Sequence, residues 1–143
     1  MNQVFLPFRL HSTWLMLDAA CVRQILGAER WLVVPCASEQ LPGVLAWKGR
    51  ALPLLDLSQV LGLGKSRPGE SQRTLIVQRP NEALAIPVDA VREVRHVAAS
   101  ELQAPRNAVH PYASAEAEID GHLTALLDLP ALLESVSETG RAA

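Results

Sequence analysis

The chain holds 143 residues, enough for one domain or two very small subdomains, and 49% of them are hydrophobic with few aromatics. A formal charge of −2, from 13 basic and 15 acidic residues, excludes the basic field that would draw it to nucleic acid or an anionic membrane. No apolar run approaches the ~18 residues that cross a bilayer, and Met1-Asn2-Gln3-Val4-Phe5 has no signal-peptide pattern. A cytoplasmic protein without direct membrane insertion is expected.

Short apolar segments punctuated by Gly, Pro and polar clusters predict many short strands. Residues 5–17 alternate imperfectly, and Trp14-Leu15-Met16-Leu17 reads as a strand buried on both faces. Asp18-Ala19-Ala20 turns the chain into a strand over residues 21–26, ended by Gly27. Leu32-Val33-Val34 is extended because it precedes Pro35. Leu45-Ala46-Trp47 and residues 51–55 flank Lys48-Gly49-Arg50, a hairpin turn in which glycine supplies a positive φ. Asp56 caps a short helix with Gln59 in capping-box position, and Gly62 ends it. Residues 64–73 form an exposed loop near the middle of the chain.

In the second half, residues 74–78, 83–88 and 91–94 read as strands, with a turn over 79–82 and Pro87 confined to an edge or bulge. A long loop over 104–117, with Pro105 and Pro111, leads to a last hairpin that turns at Asp120-Gly121. Asp128 then caps a short helix over residues 128–133, followed by a flexible tail over 134–143.

Two stretches of the chain repeat. Gly49-Arg50-Ala51-Leu52-Pro53-Leu54-Leu55-Asp56-Leu57 aligns without gaps on Gly121-His122-Leu123-Thr124-Ala125-Leu126-Leu127-Asp128-Leu129, an offset of 72 residues, half the chain. A fainter match pairs Leu17-Asp18-Ala19 with Val88-Asp89-Ala90, and Val22-Arg23-Gln24-Ile25 with Val91-Arg92-Glu93-Val94. Repeated Asp56 and Asp128 invite comparison with a catalytic carboxylate dyad. Each is followed by Leu and a helix signal rather than a Gly-flanked loop, so capping accounts for both.

The remaining chemistry is sparse. Cys21 and Cys36 stand 15 residues apart among apolar neighbours and read as buried, reduced thiols. His11, His96, His110 and His122 have no metal-ligand spacing, and Gly64-Lys65-Ser66 lacks the rest of a phosphate loop. No cofactor, metal or catalytic centre is expected. Trp14 reads as core, and Trp31 as half exposed. Two readings of Trp47 stand open, cross-strand packing in its hairpin and an aromatic anchor at an interface.

Gly43-Val44-Leu45-Ala46-Trp47-Lys48-Gly49 followed by Pro53-Leu54-Leu55-Asp56-Leu57 resembles the CheW-like domain family of bacterial chemotaxis scaffolds, whose members carry Gly-Val-x-Asn-Leu-Arg-Gly and then Pro-x-x-Asp-Leu. The family's Val-x-Glu-Ile looks like Val22-Arg23-Gln24-Ile25, and its second-half strand pair resembles residues 85–94. The resemblance covers residues 4–134 and treats the whole chain, 1–143, as one domain of two pseudo-repeated halves. It implies an all-β fold, two intertwined five-stranded SH3-like barrels with a short C-terminal helix, and no catalysis. It further implies an adaptor that couples the cytoplasmic tip of a chemoreceptor to the regulatory domain of a CheA-type histidine kinase. The alternative is an accessory protein that binds a receptor but not the kinase.

Carried over position by position, the receptor surface comprises Val22, Gln24, Ile25, Gly43, Lys48, Gly49 and Val94, with Trp47 beside them in the same turn. Four residues depart from the family pattern: Gln24 stands for Glu, Ala46 for Asn, Trp47 for Leu and Lys48 for Arg. They predict a divergent coupling protein, bound to a dedicated receptor or to one of the two usual partners.

Overall fold

The computed structural model describes residues 2–27, 32–33, 38–64, 73–79, 82–106 and 112–142. The chain begins with a hairpin of β1 (Asn2–Leu10) and β2 (Thr13–Asp18) that turns at His11-Ser12. Neither turn residue is Gly or Pro, so the sequence reading ran the two strands together; His11 makes the turn at a φ of 53°. Leu15, Met16 and Leu17 of β2 are all buried, as a strand covered on both faces requires. One turn at Ala19–Cys21 follows, where the Ala20 N–H donates to Asp18 Oδ1 at 3.0 Å.

Next come β3 (Val22–Leu26), β4 (Leu32–Val33), β5 (Gly43–Trp47), β6 (Arg50–Leu54) and α1 (Leu57–Val60). The second half contributes β7 (Arg73–Arg79), β8 (Glu82–Val88), β9 (Ala90–Val91), β10 (Arg95–Ala98), β11 (Ala113–Ile119), β12 (His122–Leu127) and α2 (Leu129–Ala142). The fold is mostly β, as expected.

Three boundaries differ from the sequence reading. Residues 91–94 are not one strand: β9 and β10 flank Arg92, Glu93 and Val94, and the Arg92 N–H donates to the Pro7 carbonyl at 3.0 Å. Strand β11 starts at Ala113, inside the segment read as loop, because its small Ala and Ser residues carry little β signal. Helix α2 runs to Ala142, so residues 134–142 continue it rather than form a flexible tail. Leu129, Leu132, Leu133 and Val136 are buried at the spacing of one helix face, which ties it to the protein. The expectations for Trp31, Cys36, residues 65–72 and the turn at Pro80-Asn81 lie outside the described residues.

The chain forms two compact units. One takes both ends, Met1–Ala20 and Val91–Ala143; the other is the continuous stretch Cys21–Ala90. The first unit's sheet has the order β10-β1-β2-β12-β11, with β9 also on β1; the second's is β3-β7-β8-β6-β5-β4. In each sheet one central pair is parallel, β12 with β2 and β6 with β8. Each unit has its own core, around Phe5, Met16, Val97, Ala117 and Ile119 in the first and Leu45, Leu52, Leu54, Ile76 and Ala85 in the second. Pro87 lies beyond the Leu54–Ala85 pairing of β8 with β6, where its missing N–H leaves no ladder bond broken on that side.

The register gives the repeat its structural basis. The β5–β6 pairs Gly43–Leu54 through Trp47–Arg50 recur in β11–β12 as Ala115–Leu126 through Ile119–His122, every residue 72 further on. The hydrogen bonds recur as well. The Asp56 N–H donates to the Gln40 carbonyl at 2.8 Å, and the Asp128 N–H to the Tyr112 carbonyl at 2.7 Å. Asp56 Oδ1 accepts from the Gln59 N–H and Asp128 Oδ1 from the Ala131 N–H, both at 3.2 Å. The leading hairpins match at a different offset, 69 residues, so that Phe5–Asp18 corresponds to Thr74–Pro87 and Pro7–Met16 to Ile76–Ala85. Each unit therefore takes its leading hairpin from one half of the chain and its trailing hairpin and helix from the other.

The two aspartates are caps, and only half of the predicted capping box exists. The Gln59 amide does not return to Asp56 but donates to Glu39 Oε2 at 3.1 Å. Asp56 is 1% exposed, whereas Asp128 is exposed. Asp56→Ala is therefore expected to lower stability by about 2 kcal/mol, the upper end for a lost cap, and Asp128→Ala by about 0.5 kcal/mol. Urea midpoints of the two variants measure the difference.

Candidate partner-binding surface

The second unit gathers four of the expected site residues, Gln24, Trp47, Lys48 and Gly49. Lys48 and Gly49 form the two-residue loop between β5 and β6, with φ of 48° and 74°. Positive φ at both positions is the type I′ hairpin geometry, which glycine adopts freely and lysine does not. Trp47 precedes the turn, pairs across it with Arg50, and packs half-buried on the second unit's core beside Leu26 of β3.

Gln24 meets this turn from β3. The Trp47 Nε1–H donates to Gln24 Oε1 at 3.0 Å. Three strands separate β3 from β5 in the sheet order, a distance of about 19 Å across a flat sheet. A direct bond between their side chains means that this sheet curls strongly. The Lys48 ammonium sits over the Trp47 ring, 4.9 Å from its centroid, a cation–π contact. No carboxylate among the described residues pairs with Lys48.

Other expected site residues are placed differently. Ile25 follows Gln24 on β3 and therefore points to the opposite face of the strand, where it is 39% exposed. Val22 is half-buried at the start of β3. Gly43 is buried, because β5 is flanked there by both β6 and β4, and it takes no part in an exposed surface. Val94 belongs to the first unit, 49% exposed between β9 and β10.

Sequence reasoning missed the corresponding end of the first unit. There the loop residues 72 further on are Asp120 and Gly121, with φ of 51° and 81°. Arg95 donates to Asp120 Oδ1 at 2.6 Å, and Arg92 lies 3.8 Å from its Oδ2. Arg92 also covers the Trp14 ring at 4.8 Å, and His122 stacks on Trp14 at 5.0 Å. The only advance signal was Asp120 preceding Gly121; Arg92 comes from a segment read as an ordinary strand, and Arg95 follows that segment. The Arg95 hydrogen bond, aided by the charges of Arg95, Arg92 and His122, holds the Asp120 carboxyl below the usual carboxylate range.

A depressed carboxyl stabilises the folded state above the ordinary carboxylate range, near pH 4, and that contribution fades as pH falls through the folded value. Asp120→Asn keeps a residue suited to the turn and removes the charge. The variant is expected to lose less stability than the wild type between pH 5 and pH 3, read as the shift in urea midpoint. Equal losses would show that the arginine clamp does not act through this carboxyl.

Among the described residues, no group of three His, Cys, Asp or Glu side chains is placed to hold a metal ion, and no helix is long and apolar enough to cross a membrane. Comparison with known proteins gives a consistent result. The model of the CheW-like domain matches residues 4–137. A chemotaxis protein CheW of Rhizobium meliloti (strain 1021) is 23% identical over 134 residues, covering 91% of this chain and 86% of that protein. The crystal structure of the scaffolding protein TtCheW from Thermoanaerobacter tengcongensis superposes with a TM-score of 0.78 at 22% identity, covering 90% of this chain and 86% of that one.

Proposed function

Because the chain belongs to the CheW-like domain family, whose members are non-catalytic scaffolds of chemotaxis signalling, we propose that it is an adaptor joining a chemoreceptor's cytoplasmic tip to the regulatory domain of a CheA-type histidine kinase. It has the family's scaffold role, not an enzyme's. It works in the cytoplasm, at membrane receptor arrays, without entering the bilayer itself. The receptor surface on the second unit comprises Gln24, Trp47, Lys48 and Gly49, with Val22 as an apolar neighbour on β3; Ile25, on the other face of that strand, and Val94, on the first unit, are proposed as separate apolar contacts. Gly43 supports the strand from inside.

One observation carries this reading: the two units present equivalent turns, and only in the second does the charged turn residue lack an ionic partner among the described residues. In the first unit Arg92 and Arg95 are held by Asp120. In the second, Lys48 is held over an indole with no carboxylate partner among the described residues. A cation kept in place but unneutralised is suited to meet an acidic group on another protein.

Titration of the full chain separately with receptor-tip fragments and with the kinase regulatory domain from its own genome tests the proposal. Binding to both supports the adaptor. Binding to receptor alone replaces it with the accessory role, and binding to neither overturns both.

A further inference from the structure

We infer that the turn surface of the second unit recognises a carboxylate on its partner and excludes a partner cation at the position facing Gln24. This rests on the proposed docking role of that surface and adds the chemistry it selects.

An indole N–H is a donor only, so the atom of Gln24 that meets it must be the amide oxygen. The bond thereby fixes which way the amide faces. Its oxygen is engaged with Trp47, and the two N–H donors of the exposed side chain are left for solvent or a partner. Beside it, Lys48 has three donors and no acceptor. Arg50, exposed and directly across the hairpin from Trp47, contributes five more. Among the described residues, side chains around the indole thus present mainly donors and positive charge, the second lone pair of Gln24 Oε1 being the one acceptor site left beside two cations.

The first unit shows what the opposite arrangement looks like. The residue 69 further on from Gln24 is Glu93, and the one 72 further on from Lys48 is Asp120. Both positions carry acceptors there, and Asp120 is matched by two arginines from its own chain. Among the described residues the second unit has no such internal match for Lys48, which leaves its complement to a partner. A carboxylate on a partner helix satisfies the donors of Gln24 and Lys48 together.

Gln24→Glu tests the inference with little disturbance of the fold, since a carboxylate accepts the Trp47 N–H as the amide does. Affinity for the receptor-tip fragment is measured by calorimetry at low salt, and Trp47 surroundings by tryptophan fluorescence. Gln24→Glu is expected to weaken binding at least tenfold with unchanged fluorescence. Replacing the facing carboxylate of the fragment by its amide is expected to weaken binding to the wild type about tenfold, and to Gln24→Glu much less. Unchanged or tighter binding by Gln24→Glu would overturn the inference while leaving the docking role intact. Failure of the wild-type chain to bind the fragment would instead remove the docking role on which it rests.

Discussion

Trp47→Ala is expected to weaken receptor binding about 30-fold and to lower stability by about 2 kcal/mol, the two losses arising from different parts of one side chain. The inner part of the indole packs on the second unit's core, as Leu26 does, and its removal leaves a gap against that cluster. Truncating a fully buried aromatic costs about 3–5 kcal/mol, and Trp47 is only half-buried, hence the smaller figure. Its outer part carries Lys48 on its face and holds Gln24 by its N–H. Losing both frees two polar groups that an aromatic anchor keeps in position, worth about 2 kcal/mol of binding. Trp47→Phe separates the contributions, for it keeps a ring under Lys48 but has no N–H for Gln24. It should retain most of the stability and an intermediate affinity. Full affinity for Trp47→Ala, once refolding is verified by circular dichroism, would assign the side chain to packing alone.

Lys48→Asn is expected to move stability and binding in opposite directions. At a φ of 48° a lysine side chain is strained, by about 1 kcal/mol, whereas Asn-Gly is the preferred pair for a type I′ turn. The cation–π contact with Trp47 is lost, about 0.5 kcal/mol at an exposed site. Net stability should therefore rise by about 0.5 kcal/mol, seen as a higher urea midpoint. Binding should fall 30-fold or more, because a partner carboxylate buried at the interface loses its counter-charge, worth about 2 kcal/mol or above. Its equivalent turn already has Asp120, a residue at ease in this conformation. A strained lysine at one turn and a relaxed aspartate at the other suggest that Lys48 is kept for binding rather than for folding. A variant that binds normally while folding more stably would remove that explanation.

The trailing half of each repeat was legible in the sequence because its residues meet backbone directly. Gly49 and Gly121 supply positive φ, and Asp56 and Asp128 accept from helix N–H groups, so none is freely exchanged. The leading hairpins were not. Phe5, Leu6, Pro7 and Phe8 correspond to Thr74, Leu75, Ile76 and Val77, positions where burial asks only for suitable volume. The match of Leu17-Asp18-Ala19 with Val88-Asp89-Ala90 was misplaced, since the register sets Leu17 against Ile86. Pairing Val22 through Ile25 with Val91 through Val94 agrees with that register.

Site residues show the same division. Trp47 and Lys48 are neighbours in sequence, so their association could be anticipated. Gln24 lies 23 residues before Trp47 and reaches it only because the sheet curls. Gly43 belongs to the motif as a string of letters, but a strand paired on both sides buries it.

The exchange of hairpins also orders events in time. During synthesis β1 and β2 emerge first, yet their partners β10 and β12 are made only after residue 94 and residue 121. The intervening stretch, Cys21–Ala90, holds every strand of its own sheet. It can close while the rest of the chain is still being made, since its pairings span shorter loops. The hairpin made first is thus completed last, and Leu15, Met16 and Leu17 stay uncovered until the C-terminal strands arrive. The surface that carries Lys48 lies wholly on the early-closing unit, so a docking-competent turn precedes the finished protein.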